Sequence, residues 1–376
     1  MRDTRKEVLD IIQFCLTNIN QKAKKKRKTM EEKKHKRRVH YSGKYPKKFE
    51  EKYKEQNPEK YADTVAHVIA KGSTPAGMHI SIMVQEILDF LQIKPGQQGL
   101  DCTLGYGGHT GKMLEKLQGS GCIYGLDVDP IESRKTVERL RAAGHGEDNF
   151  KFRLINFANI DKVAEEAGKF DFVLADLGVS SMQIDDPKRG FSYKIDGPLD
   201  LRLDPDHGES AAERLHNITK EEFIGMMVEN SDEPYANEIA DKVFSLMAKG
   251  QAMDTTTELR KAIEDALWKV PKEEKQQAIK KSCARVFQAL RIDVNSEFEV
   301  LYSFLEKLPG ILNPGGRVAI LTFHSGEDRL VKKSFKELKK QGIYSDVSSD
   351  VIRPSAKECR LNPRSKSTKM RWAIKA

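Results

Sequence analysis

Apolar positions along this chain change their spacing three times, and each change marks a different kind of element. From Met83 to Leu91 they recur every three to four residues, as on one face of an amphipathic helix. Gly99 to Leu104, Cys122 to Asp127, Phe150 to Ile155 and Phe170 to Asp176 are short, nearly unbroken apolar runs, the pattern of strands buried on both faces. Helical patterns separate them at Thr110 to Leu117 and at Pro130 to Ala143, the latter with proline in its first turn, where the missing N–H has no partner to lose. This βαβ rhythm predicts a parallel sheet with helices on both faces.

The rhythm stops after Asp176. Up to about residue 282 only helical patterns follow the turn-rich loop: Ala211 to Leu215, Lys220 to Glu229, Tyr235 to Ala248, Thr256 to Trp268 and Lys272 to Lys281. Helices at Ala284 to Leu290 and Ser296 to Leu308, a strand at Arg317 to Phe323, a helix after Ser325 and a last strand at Met370 to Ile374 resume it. So long a strand-free interval is improbable as a loop and predicts a helical subdomain inserted into the sheet domain. The expected organisation is therefore a basic extension and linker over 1–77, one α/β domain over 78–183 and 283–376, and the insert over 184–282.

Charge changes the picture at both ends. Residues 1–71 hold 21 Lys/Arg against 10 Asp/Glu, a net +11; the whole chain is +9, so the remainder is −2. Val8 to Ile19 has the spacing of a short helix, and the stretch after it, Lys22 to Arg38, carries 11 basic residues. Next, Tyr41, Tyr45, Phe49, Tyr53 and Tyr61 stand among lysines, a mixture suited to stacking on bases and meeting phosphates, or to strapping the extension onto the fold. From Arg353 to Ala376 there are 8 basic residues and one acid, Glu358. Two cationic ends point to a polyanionic partner. No apolar run approaches the roughly 18 residues a membrane span needs, which argues against a membrane. The five cysteines, Cys15, Cys102, Cys122, Cys283 and Cys359, form no metal-binding pair and suit reduced thiols in a cytoplasmic protein. No metal site is expected.

Candidate chemistry gathers at the ends of the predicted strands. Gly105, Gly107 and Gly108 lie between a strand and a helix, where bare backbone lets N–H groups approach a ligand. Asp127 closes the next strand, the position from which a carboxylate reaches ribose hydroxyls. Both NAD and S-adenosylmethionine fit such a pair. The spacing is not Gly-x-Gly-x-x-Gly, which favours the methyl donor over a pyrophosphate. Asp176 ends the fourth strand and could accept a hydrogen bond from an amine or serve as a base, or merely cap the next segment. The loop from Pro187 to Asp204 combines turn residues with Phe191, Tyr193 and Arg202, suited to an extruded base and a phosphate. His324 follows a later strand beside Ser325 and Asp328. Neither a Gly-x-Ser-x-Gly elbow nor a His-Glu-x-x-His helix occurs, so hydrolase readings lack support.

Taken together, Gly107-Gly108-His109, Asp176-Leu177-Gly178-Val179-Ser180-Ser181-Met182-Gln183, Arg189-Gly190-Phe191-Ser192, Asp196-Gly197-Pro198-Leu199-Asp200-Leu201-Arg202, Phe287-Gln288-Ala289-Leu290-Arg291-Ile292 with Val294-Asn295-Ser296-Glu297, and Asn362-Pro363-Arg364 resemble the MraW/RsmH family of small-subunit rRNA cytidine N4-methyltransferases, from about Met78 to Ala376. The resemblance implies a Rossmann-like, S-adenosylmethionine-dependent fold, α/β in class and interrupted by a helical substrate-recognition insert. It implies cofactor contacts at Gly107, Gly108, His109, Asp127, Phe157, Asp176 and Gln183. Asp176 and His324 are the expected catalytic residues, and Phe191, Ser192, Arg202 and Arg291 the expected substrate contacts. The chain departs from the family's usual form at His79-Ile80-Ser81-Ile82 and at Gly326 within His324-Ser325-Gly326-Glu327-Asp328-Arg329. The expected reaction is methyl transfer to N4 of a cytidine in the decoding region of 16S rRNA, naked or in the assembled small ribosomal subunit, with a homodimer left open. Another rRNA or DNA position and a non-catalytic role in ribosome assembly are the alternatives.

Overall fold

A computed structural model describes residues 81–376 of the chain. The expectations placed on the basic extension lie outside these residues. In chain order the elements are α1 (Val84–Leu91), β1 (Gln98–Asp101), α2 (Gly108–Leu117), β2 (Cys122–Asp127), α3 (Pro130–Ala142), β3 (Phe150–Leu154), α4 (Ile160–Ala167), β4 (Phe170–Asp176) and α5 (Ser181–Asp185). Five helices follow without a strand: α6 (Ala211–Asn217), α7 (Lys220–Ser231), α8 (Ala236–Ala248), α9 (Thr256–Ala266) and α10 (Lys272–Val294). The chain then completes its sheet through α11 (Glu297–Lys307), β5 (Leu312–Thr322), α12 (Ser325–Lys340), β6 (Tyr344–Val347), α13 (Ala356–Leu361) and β7 (Lys369–Lys375).

Seven strands form one sheet in the order β3-β2-β1-β4-β5-β7-β6. Strands β1 to β5 are parallel, as the βαβ rhythm predicts, and β7 adds to them antiparallel to both β5 and β6. The order reverses between β1 and β4, which opens a crevice at the carboxyl ends of these strands.

Alternation along the strands divides the core between two faces. Leu100, Val173, Val318 and Ile320 pack with Ile160, Val163, Phe304 and Phe335 on one side. Phe172, Leu174, Ala319 and Leu321 pack with Ile87, Met113, Leu117 and Leu140 on the other. Glycine at 99 makes this possible, since a Cβ there would lie 2.0 Å from the Phe172 ring. Each buried Leu or Phe contributes roughly 1.5–3 kcal/mol.

The helices between β4 and β5 build a separate apolar cluster, in which Leu215, Phe223, Ile239, Leu259, Ile263, Val286 and Phe287 are buried. Ser210, Thr219 and Thr255 start α6, α7 and α9 with reciprocal capping boxes to Glu213, Glu222 and Glu258. The two helices expected on either side of residue 282 are one continuous α10, because Lys280 and Lys281 turn to its outer side and interrupt the apolar spacing without breaking the backbone.

Candidate active site

The cavity is built from the carboxyl ends of β1, β2 and β4. Its volume is about 530 Å³. At the end of β1, the Asp101 carboxylate accepts hydrogen bonds from the Thr103 backbone N–H and the Thr110 hydroxyl, which fixes the turn leading into α2. Thr103 in turn accepts from the Asp176 backbone N–H at 2.7 Å and ties β1 to β4 at the crevice. Gly107 adopts φ +78°, and a Cβ there would sit 2.7 Å from Thr136 Cγ2, so the loop both turns and packs on α3 only because the residue is glycine.

Asp127 ends β2 and holds the loop from the other side. Its Oδ2 accepts from the Gly105 N–H at 2.8 Å and its Oδ1 from the Asp129 N–H at 2.9 Å. Burial, only partly opposed by these hydrogen bonds, pushes the Asp127 pKa up to about 6. Asp176 is likewise raised to about 6 by burial; the nearby His109 opposes the rise, while Asp101 and Glu327 add to it.

His109 has its orientation set by the chain before α1. Nε2 lies 2.8 Å from the Ile82 carbonyl oxygen, an acceptor only, so this nitrogen carries the hydrogen. Nδ1 then faces Asp176 Oδ2 at 3.6 Å. The other Asp176 oxygen, Oδ1, is buried without a hydrogen-bond partner among the described residues. A desolvated acceptor of this kind costs about 1–3 kcal/mol and is complementary to a donor brought by a ligand.

Asp129 organises the far wall, although no expectation singled it out. Its Oδ1 caps α3 by accepting from Ile131 and Glu132 N–H groups, and its Oδ2 accepts from Gln183 Nε2 at 2.8 Å and Arg189 Nη1 at 2.7 Å. Arg189 and Asp129 are both buried, and Arg189 Nη2 also donates to the carbonyls of Arg202 and Leu203. An Asp before Pro130 was a visible helix-start signal; its pairing with Arg189, sixty residues on, left no trace in the sequence.

Gly107, Gly108, His109, Asp127, Phe157, Asp176, Gln183 and Arg291 all line the cavity. Phe157 packs edge-on against Phe304 with centroids 5.3 Å apart. Phe191, Ser192, Arg202 and His324 are not among the lining residues. Phe191 belongs to the helical cluster, with Arg189 5.7 Å from its ring centroid. Ser192 accepts from the Lys194 N–H at 3.4 Å. Arg202 clasps Asp200 through two bonds of 2.9 and 2.7 Å. Burial would raise the Asp200 pKa, but this clasp outweighs it and holds the carboxyl below its usual range. Between them Leu201 sits at φ +63°, a strained conformation held by its N–H to the Arg189 carbonyl and by Asn295 Nδ2 on its own carbonyl.

His324 stands one layer behind the cavity, with Nε2 3.1 Å from Glu327 Oε1. Glu327 is buried, lines the cavity and accepts the Phe323 N–H at 2.8 Å. Burial would raise its pKa; His324 and the Arg291 charge reverse the direction. Glu297, His324 and Glu327 offer ligand atoms within 4.8 Å of one another. Both Glu297 oxygens, however, already accept from Arg291, at 2.7 and 2.8 Å, so the group is better described as an ion network than as a cation site.

The model of the MraW methylase family matches residues 76–376. The chain belongs to this family. Ribosomal RNA small subunit methyltransferase H 1 of Agathobacter rectalis is 68% identical over 346 residues, which cover 92% of this chain and 99% of that protein. The protein of the same name from Lachnoclostridium phytofermentans is 65% identical over 346 residues, 92% of this chain and 94% of that one. Ribosomal RNA small subunit methyltransferase H of Clostridioides difficile is 37% identical, covering 79% of this chain and 98% of its own length. The first two matches extend upstream of residue 76 into the basic extension; the third is no longer than the family region.

As a member of the MraW methylase family the chain is a methyltransferase, and its methyl donor is S-adenosylmethionine. The residues present fit this cationic nucleoside. Gly105, Gly107 and Gly108 expose bare backbone, two carboxylates flank it, and one of them presents an unpartnered buried oxygen.

Proposed function

We propose that this chain transfers the methyl group of S-adenosylmethionine to N4 of a cytidine in the decoding region of small-subunit (16S) rRNA. Two kinds of support carry the reading: the names borne by its relatives, which act on small-subunit rRNA, and the placement of Asp176 at the crevice with Oδ1 free of any described donor. When bound, the donor supplies an electrophilic methyl group on a sulfonium centre. The rest falls to side chains.

Gly107, Gly108, His109, Asp127, Phe157 and Gln183 would hold the donor. The N4 lone pair of cytidine is delocalised into its ring, so an acceptor is needed to draw on the amine N–H and favour the nucleophilic form. Asp176 fills this role: it is ionised at neutral pH, yet burial makes it basic enough to take the proton the amine sheds on methylation. Because Nε2–H of His109 is committed to Ile82, the ring is held with Nδ1 beside Asp176. His324 acts at one remove by orienting Glu327, and so counts as a positioning residue.

For the substrate, Arg291 is the candidate at the cavity, while Phe191, Ser192 and Arg202 shape the loop that frames it. In this reading residues 184–282 form a substrate-recognition insert in a methyltransferase domain made of 78–183 and 283–376. Mapping rRNA modifications by mass spectrometry in a deletion strain tests the proposal. The expected result is one cytidine that loses its N4-methyl group and regains it on complementation. Unchanged cytidines with a loss at another base, or in DNA, would overturn it.

A further inference from the structure

The C-terminal part of the chain carries charges for which the proposed methyl transfer assigns no role. Between Arg353 and Ser367 it forms α13 and a short 3-10 turn, and Asn362, Pro363, Arg364, Lys366 and Ser367 line one rim of the cavity. This segment is anchored inward by two charges of opposite sign. Glu358, its only acid, accepts the Met83 N–H at 2.8 Å. Arg364 donates to both Asp185 oxygens, at 3.1 and 2.8 Å, and to the Ser181 carbonyl at 3.1 Å.

What is left faces outward. Arg353, Lys357, Arg360 and Lys366 are exposed, and none has an ion pair among the described residues. Lys357 and Arg360 fall three residues apart on α13, on one side of the helix. Leu361, next in sequence to the rim residue Asn362, is 69% exposed, a large apolar side chain left in water. Outside the basic extension the chain is net −2, so four exposed cations between residues 353 and 366, one of them on the rim itself, are a local reversal of sign.

We propose that this segment is a docking lip for single-stranded RNA, on which Lys357, Arg360 and Lys366 meet the phosphates flanking the target nucleotide and Leu361 packs against a sugar or base face. The inference rests on the rRNA-modifying reading for its partner. The chemistry selects that partner: phosphates need cations unclaimed by carboxylates, and an unpaired strand also offers apolar faces that a duplex hides. Positioned beside the opening, the lip would fix where along the strand a base enters the cavity.

The test uses the full chain and a fluorescein-labelled single-stranded RNA of about 20 nucleotides, with anisotropy read between about 50 and 200 mM salt. Substituting Lys357→Gln, Arg360→Gln and Lys366→Gln together should weaken binding roughly tenfold at the lower salt. It should also reduce the slope of log affinity against log salt by about 2, at about 0.7 per lost phosphate contact. A control of equal charge, Lys332→Gln, Lys333→Gln and Lys336→Gln on the exposed side of α12, should leave the slope unchanged. Urea unfolding midpoints should be the same in all three proteins, which shows that the fold is intact.

An unchanged slope in the lip variant, an equal loss in the control, or displacement of the RNA by poly-glutamate at matched charge would each overturn the lip. If the parent protein methylates its cytidine while the lip variant keeps its slope, the lip fails and the enzymatic reading stands. If no rRNA methylation is found but the slope falls as described, the reverse holds.

Discussion

The wall of the cavity made by strand ends and the loop-and-helix region from residue 186 to 294 use the same residue types for opposite ends. At the strand ends, the Asp127 carboxylate is positioned by the backbone N–H groups of Gly105 and Asp129, Asp176 is fixed through its own backbone N–H on Thr103, and both border the crevice. In the helical region Asp200 and Arg202 satisfy one another, and Arg189 disappears into a buried pair with Asp129. Polar side chains fixed by main chain remain available for chemistry, whereas those fixed by other side chains have spent their charge on shape.

The largest test of that contrast is Asp176→Ala. Steady-state methylation should fall by at least about 10³-fold, some 4 kcal/mol in the barrier, while the melting temperature stays near or above that of the parent because a desolvated carboxylate is removed. Near-normal turnover would take Asp176 out of the mechanism. Arg189→Met should do the converse. Leaving the buried Asp129 without its counter-charge should cost about 3 kcal/mol of stability, the low end for a broken buried pair, read as a lower urea midpoint. Activity scaled to the folded fraction should change much less.

A smaller effect should come from pH. Burial raises the pKa of both Asp127 and Asp176 to about 6, so their protonated forms are favoured in the folded protein relative to the unfolded chain. Their contribution to stability is therefore fully present below the unfolded value near 3.8 and is lost as pH rises through about 6. Binding of the cationic cofactor should run the other way, weakening several-fold between pH 7.5 and 5.5 by calorimetry as the two carboxylates lose their charge. Affinity that is flat over this interval would separate the two acids from cofactor binding.

Sheet and crevice were readable in the sequence because their signals are local. Strands β2 and β4 have the limits their apolar runs predict, and the glycine strip stands where a strand must turn into a helix. Strand β6 escaped notice, since its four residues bury one side chain, Tyr344, and their neighbours alternate too briefly to form a pattern. The antiparallel placement of β7 was equally hidden, as orientation depends on a partner about fifty residues away. Among site residues, Gly107, Gly108, Asp127 and Asp176 announced themselves by position on strand and loop. Arg202 and Phe191 stood out by residue type, and their packing against Asp200 and the helical core, outside the cavity lining, was not legible in the sequence. Residues that couple distant segments, such as Arg189 with Asp129 or Arg291 with Glu327, leave no periodic signature at all.

Asp129 joins two places that would otherwise be independent. Gln183 borders the cofactor cavity and Arg189 grips the carbonyls of residues 202 and 203, yet both donate to the same Asp129 oxygen. Whatever shifts one donor changes the share of that oxygen left to the other. Occupancy at the crevice should accordingly register as altered amide hydrogen exchange at Arg202, whose side chain is not part of the cavity lining.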